Sequence, residues 1–320
     1  MDIVVLDGYT LNPSDLNWDA LKKLGNVTIY DRTPYDDETI IKNIGNADIV
    51  FTNKTPINSY ILNNAPSLKY IGVLATGYNV VDIKTAKTLK ITVTNVPDYS
   101  SNAVAQFTLA LILELCHHVG EHNTSVHNGD WVKSKDFSYW NFPLIELSGK
   151  TLGLIGFGKI GKATAKLAEA FGMRILVHNR TEYPEFVNDN LNFVTFKELL
   201  QEADFVSLHC PLTEHTQHII NNSTIAKMKT SAYLINTSRG PLVNEKDLAN
   251  ALNNDMLAGA AVDVISEEPM KAKNPLLNAK NCIITPHIAW ASKEARQRLM
   301  NTSVENLNAF LNGIPQNVVN

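Results

Sequence analysis

Short apolar runs alternate along this chain with stretches whose apolar positions return at helical spacing. Ile3 to Leu6, Val27 to Tyr30, Ile49 to Thr52, Tyr70 to Leu74 and Ile91 to Thr94 form one set of strand candidates. A second set follows at Thr151 to Ile155, Arg174 to Val177, Phe205 to Leu208, Ala232 to Asn236, Ala260 to Val264 and Cys282 to Thr285. Strands spaced by helical segments predict two α/β units, each a doubly wound parallel sheet with crossover helices. Between the sets, Asn102 to Leu115 reads as a helix with little polar surface on any face. Such a helix must be buried between domains or against another subunit, and interdomain and dimer contacts are the favoured reading. Ser292 to Leu311 is a second long helix candidate, stopped by Asn312-Gly313 and Pro315. It comes too late for the second sheet and is predicted to return to the first unit. Boundaries near Ser100 and Ala289 then give a discontinuous domain of residues 1–100 and 289–320 around a domain of residues 101–288.

Within the second set, Thr151-Leu-Gly-Leu-Ile-Gly-Phe-Gly-Lys-Ile-Gly161 runs from a strand into a glycine turn. From Lys159 to Phe171, Ile160, Ala163, Leu167 and Ala170 then recur at helical spacing. Strand, turn and helix in this order suit a phosphate-cradling loop. Gly156 makes the turn, Gly158 lets backbone approach a pyrophosphate, and Gly161 packs helix on strand. After the next strand candidate, where an Asp or Glu would bind the adenosine ribose, the chain reads His178-Asn179-Arg180-Thr181. Neither Asn179 nor Arg180 repels a 2′-phosphate, and Arg180 can pair with one; the other reading of Arg180 is a solvated loop cation. The cofactor expected is therefore NADP or NAD, with NADPH use suggested and dual use plausible.

Composition adds mostly exclusions. A net charge of −4 with scattered charges offers no field for nucleic acid. No membrane segment is visible, and Met1-Asp-Ile-Val-Val-Leu6 opens as a strand without a signal pattern, so a cytoplasmic protein is expected. Cys116, Cys210 and Cys282 are odd in number and widely spaced, which favours neither disulfides nor zinc. His118 and His122 have a metal-compatible spacing, but Gly120 is expected to interrupt their helix and no further ligand completes a shell. No metal is predicted.

Three polar groups follow strands of the second set: Arg239, Glu268 and His287. In open parallel sheets ligands collect at that end. Arg239 offers a planar fork of donors for a carboxylate, or else a surface ion pair, and Gly240-Pro241 fixes a turn behind it. Histidine as a residue type titrates near neutral pH, so His287 could give a proton to a carbonyl oxygen. Glu268 would orient that imidazole and favour its charged form, although spacing alone leaves it level with Glu267 as a solvated acid.

Gly156 to Gly161, Asn236-Thr-Ser-Arg-Gly240, Asp263 with Glu267-Glu-Pro269, and Thr285-Pro-His287 together resemble the D-isomer-specific 2-hydroxyacid dehydrogenases over essentially the whole chain. The resemblance implies flavodoxin-like and Rossmann-like domains, a homodimer, and NAD(P)-dependent interconversion of a 2-keto acid and a D-2-hydroxy acid. It implies that Arg239 binds the substrate carboxylate and carbonyl, that His287 is the acid/base and that Glu268 is its partner. The Ala75-Thr76-Gly77 backbone would grip the substrate carboxylate. Asp263 would hold the nicotinamide carboxamide, Thr108 and Thr237 would contact the cofactor, Lys159 and Ile160 the pyrophosphate, and His209, Pro211 and Thr216 the adenosine side. Phe137 to Pro143 and His287-Ile-Ala-Trp290 look most like the glycerate dehydrogenase/hydroxypyruvate reductase branch. A tryptophan on the loop before Gly149 would reach a neighbouring subunit, and Trp290 would wall the substrate pocket. Hydroxypyruvate or glyoxylate ranks first as substrate and pyruvate, as in a D-lactate dehydrogenase, second. A dinucleotide-sensing protein like the corepressors that resemble these enzymes is the alternative of another class.

Overall fold

The computed structural model describes residues 1–320, in two compact units. Met1–Ser100 with Trp290–Asn320 form the first, and Ser101–Ala289 the second. The return point thus falls at Trp290 rather than Ala289, because the Ala289 N–H is held by the Asp263 carboxylate of the second unit at 2.8 Å.

In the first unit, β1 (Asp2–Val5), β2 (Asn26–Ile29), β3 (Ile49–Thr52), β4 (Tyr70–Val73) and β5 (Thr92–Thr94) form one parallel sheet in the order β2-β1-β3-β4-β5. This is the flavodoxin-like order, with its switch point between β1 and β3. β3 and β4 are buried at every position, which explains their unbroken apolar runs. The Lys293–Leu311 helix, capped by Ser292, packs on β4. Past it the chain pairs with the sheet edge, Val319 donating to the Val93 carbonyl at 2.9 Å, so β5 is not left open.

The second unit carries β6 (Thr151–Ile155), β7 (Arg174–His178), β8 (Leu191–Phe193), β9 (Phe205–Leu208), β10 (Tyr233–Asn236), β11 (Gly259–Val262) and β12 (Cys282–Ile284). All are parallel, in the order β12-β11-β10-β9-β6-β7-β8. The order reverses between β6 and β9, and this is where a Rossmann-type sheet opens a ligand crevice. Strand residues alternate between two cores. Leu152, Leu154, Ile175 and Val177 face one, Ile155, Leu176, Val206 and Leu208 the other. Both faces are apolar, which erases the polar/apolar alternation of a half-exposed strand.

The apolar helix spans Ser101–His117, and Leu109, Ile112, Leu115 and Cys116 fill the first of those cores. It keeps a narrow exposed stripe at Asn102, Gln106, Ala110 and His117, so it is not buried all round. A second helix, Val119–His127, leaves it at 54°. The break falls at His118, whose φ is 47°, and not at the expected Gly120, which lies inside the second helix. His118 pairs with Glu121 at 2.8 Å, while His122 Nδ1 meets the His118 carbonyl at 2.9 Å, so the two rings are engaged separately. No single helix is long and apolar enough to cross a membrane.

Candidate active site

At the C-terminal end of β6 the chain turns at Gly156, whose φ of 100° only glycine adopts easily. A Cβ there would also lie 2.6 Å from the Cys210 nitrogen at the end of β9. A Cβ on Gly161 would lie 2.5 Å from the Gly156 carbonyl oxygen. The first and third glycines therefore permit close packing, whereas Gly158 faces open space with nothing within 4 Å. Gly158 caps the Lys159–Ala170 helix, and the first closed turn is Lys162 N–H to the Gly158 carbonyl at 2.9 Å. The N–H groups of Lys159, Ile160 and Gly161 precede that ladder and line the positive end of the helix dipole, an arrangement that fits a pyrophosphate.

Asn179 at the end of β7 supports this loop. Its Oδ1 accepts the Phe157 N–H at 3.1 Å and its Nδ2 donates to the Thr181 carbonyl at 2.7 Å, while Arg180 is exposed. His209 follows β9, with Nε2 2.9 Å from the Ser207 hydroxyl. Thr216 donates to the Pro211 carbonyl at 2.7 Å and so closes the segment after it. Thr108 and Thr237, far apart in sequence and both buried, meet at 3.1 Å.

Burial pulls the His209 imidazole from its ordinary 6.5 down to about 4. As pH falls below 6.5 the unfolded chain therefore takes up this proton before the folded one does. The stability due to neutral His209 is complete above about pH 6.5 and is lost as pH drops towards 4, amounting to about 3 kcal/mol. Urea melts of wild type and His209→Gln across that window should converge as the pH is lowered; parallel curves would show that His209 does not carry the effect.

Arg239, Glu268 and His287 lie on the same rim, after β10, β11 and β12. Asn236 shapes the first turn, its Nδ2 donating to the Arg239 carbonyl at 2.9 Å and its Oδ1 accepting the Ser238 N–H at 3.0 Å. Arg239 stays exposed, with Nη1 on the Ser238 carbonyl at 2.7 Å. Behind it, Gly240 packs so closely on Ile265 and Ser266 that a Cβ would overlap their backbone. Only glycine brings the Arg239 turn against the segment leading to Glu268. Gly240→Ala should therefore cost about 3 kcal/mol of stability in a urea melt and lower activity with it. A neutral outcome would mean that the two segments can separate.

Glu268 Oε2 lies 2.6 Å from His287 Nδ1, while Glu267 pairs with Lys271 at the surface, which distinguishes the two acids. His287 has a φ of 55°, a conformation held by its N–H to the Asp263 carbonyl at 2.8 Å. The buried Asp263 carboxylate braces the same loop through Thr285 Oγ1 at 2.6 Å and the Ile288 and Ala289 N–H groups at 2.8 Å.

In the first unit, Ala75, Thr76 and Gly77 follow β4. The Leu74 carbonyl accepts Asn53 Nδ2 at 2.5 Å, the Ala75 carbonyl the Val96 N–H at 3.0 Å, and the Thr76 carbonyl Asn95 Nδ2 at 2.7 Å. Asp7, at the end of β1, accepts the N–H groups of Asn53, Lys54 and Thr55 at 2.7, 2.6 and 2.7 Å. Asp7 and Asn53 thus anchor the loop, and no local sequence pattern marks either. Trp290 packs edge-on against Tyr99, with centroids 6.2 Å apart.

A glycine loop at a sheet switch point, with a paired histidine and an exposed arginine after other strands of the same sheet, suits a dinucleotide-dependent dehydrogenase. The D-isomer specific 2-hydroxyacid dehydrogenase, NAD binding domain, matches residues 109–289. A hydroxypyruvate reductase of Blautia hydrogenotrophica is 53% identical over 321 residues, covering 100% of both chains. A glycerate dehydrogenase of Methylorubrum extorquens is 43% identical and covers 88% of each. Among solved structures, an acyclic imino acid reductase with NADPH and D-Arg aligns at TM-score 0.84 and 29% identity over 100% of both chains. A D-lactate dehydrogenase with NAD+ from Lactobacillus jensenii aligns at TM-score 0.81 and 29% identity, again over 100% of both. The chain belongs to the D-isomer specific 2-hydroxyacid dehydrogenase family. It is an oxidoreductase of 2-hydroxy acids with a nicotinamide dinucleotide cofactor.

Proposed function

We propose that this enzyme reduces hydroxypyruvate, and glyoxylate after it, to the D-2-hydroxy acid. The observation that carries the reading is the 2.6 Å pair of His287 and Glu268 on the rim that also holds the glycine loop and Arg239. The 53% identity to a hydroxypyruvate reductase supports the choice of substrate. Pyruvate ranks second, since the fold is shared with a D-lactate dehydrogenase.

When bound, the cofactor supplies hydride to the keto carbon. Arg239 pairs its fork with the substrate carboxylate and polarises the carbonyl. His287, holding Glu268 through Nδ1, gives the proton from Nε2 to the carbonyl oxygen. Glu268 fixes the orientation of the ring. Ala75, Thr76 and Gly77 are proposed to bind the carboxylate through backbone N–H groups and Trp290 to limit substrate size. Thr108, Thr237, Asp263, His209, Pro211 and Thr216 are proposed cofactor contacts, with Asp263 bracing the His287 loop as well.

Because Asn179 and Arg180 bring no negative charge to the end of β7, we propose that NADPH is accepted alongside NADH. The three cysteines are free, as suits a cytoplasmic enzyme. We also propose a homodimer. Val132, Phe137 and Trp140 are 90%, 91% and 66% exposed on one segment, an apolar surface of the kind that marks an interface. Light scattering should give a dimer for wild type and a monomer for a Val132→Glu/Phe137→Asp double variant; a monomeric wild type contradicts this.

Steady-state kinetics with hydroxypyruvate, glyoxylate and pyruvate, each with NADPH and NADH, tests the substrate. The expected result is a kcat/KM at least about tenfold higher for hydroxypyruvate than for pyruvate. The reverse order would assign the enzyme to pyruvate.

A further inference from the structure

Lys162 lies in the first turn of the helix that follows the glycine loop. Its Nζ stands 4.1 Å from the Tyr183 ring centroid, 4.4 Å from that of Phe186 and 5.8 Å from that of Phe157. The rings also pack on one another, Phe157 on Phe186 at 5.4 Å and 84°, Tyr183 on Phe186 at 6.3 Å and 85°. Phe157 sits between Gly156 and Gly158 and is buried, so the box is built directly on the glycine loop. Its N–H is the group held by Asn179.

The chain leaving β7 is therefore pinned to the glycine loop at Asn179 and again at Tyr183 and Phe186. Only Arg180, Thr181 and Glu182 lie between, and the Thr181 carbonyl is tied back to Asn179 at 2.7 Å. A span this short, anchored at both ends, presents the exposed Arg180 in one place. We propose that Lys162, through this aromatic box, is a positioning residue that sets the loop deciding between NADPH and NADH. The proposal rests on the assignment of Gly156 to Gly161 as the dinucleotide site.

Each ring attracts the ammonium through its negative face, and the attraction grows as the cation is desolvated. Methionine at this position keeps an unbranched stem and loses the charge; arginine keeps the charge. NADPH should suffer more than NADH, because only the 2′-phosphate calls on Arg180. A box that served stability alone would weaken both dinucleotides together or neither.

The test is titration of NADPH and NADH, without substrate, into wild type, Lys162→Met, Lys162→Arg and Tyr183→Leu, with tryptic cleavage after Arg180 followed in the unliganded proteins. Lys162→Met and Tyr183→Leu should bind NADPH roughly fivefold more weakly while NADH affinity barely changes. Both should be cut faster after Arg180, and Lys162→Arg should behave as wild type. An unchanged NADPH-to-NADH affinity ratio in both Lys162→Met and Tyr183→Leu overturns the proposal. A wild type that binds neither dinucleotide overturns the underlying assignment instead.

Discussion

Replacing His287 with alanine should lower kcat for hydroxypyruvate by about 10²- to 10⁴-fold while leaving dinucleotide binding nearly intact, since proton transfer by a positioned side chain is worth about that much. His287 meets the requirement of position: its Nδ1 is 2.6 Å from Glu268, which orients the ring, and Nε2 is the proposed proton donor. The loop beneath it is held by the buried Asp263 through three bonds to side chain and backbone. Truncating the imidazole removes the proposed donor without touching these braces, and the proposed cofactor contacts lie on or after other elements. Glu268→Gln should have a smaller effect, because an amide oxygen can still accept a bond from Nδ1–H and hold the ring. Rapid titration with NADH and steady-state kinetics on the same preparations separate binding from turnover. Full activity in His287→Ala would remove the acid/base assignment.

Arg239→Ala should produce the second large loss, in kcat/KM for every 2-keto acid. Two charge-assisted bonds to the carboxylate, each worth about 1.5 to 3 kcal/mol, correspond to about 10² to 10⁴ in kcat/KM. Part should appear in KM, since the carboxylate is already charged in the ground state, and part in kcat, since the carbonyl oxygen gains charge only as reduction proceeds. Arg239→Lys should recover only a fraction, because an ammonium on a flexible stem cannot reproduce the fork. The turn would survive either change: Asn236 binds the Arg239 backbone rather than its side chain, and Gly240 is packed independently on Ile265 and Ser266. Equal kcat/KM for wild type and both variants would show that the carboxylate is held elsewhere.

Most strands were legible because parallel sheets buried on both faces leave unbroken apolar runs, as in β3, β6 and β9. β8 was not, since Leu191-Asn192-Phe193 is a three-residue edge strand with an exposed polar centre. Propensity puts the helix break at Gly120, yet the left-handed residue is His118 and Gly120 lies inside the following helix. The spacing of Gly156, Gly158 and Gly161 marks the loop in the sequence, and the structure adds the close backbone contacts that Gly156 and Gly161 permit, while Gly158 faces open space. Residues acting across the fold were harder to see. Asp7 binds N–H groups 46 to 48 positions away, and Asp263 braces a loop 22 to 26 positions on, distances over which no local pattern survives. In the sequence Asp263 stands out only through the family resemblance, which implies a cofactor contact, and its bonds to the His287 loop emerge from the three-dimensional arrangement alone. Glu267 and Glu268 were equivalent in sequence until geometry gave one to Lys271 and the other to His287.

Chiral analysis of the product tests the central claim most directly, because membership of the D-isomer specific 2-hydroxyacid dehydrogenase family implies one stereochemical outcome. Purified enzyme incubated with hydroxypyruvate and reduced cofactor should yield D-glycerate as the sole enantiomer, with one cofactor oxidised per molecule formed. Formation of L-glycerate, or consumption of neither substrate nor cofactor, would contradict the account.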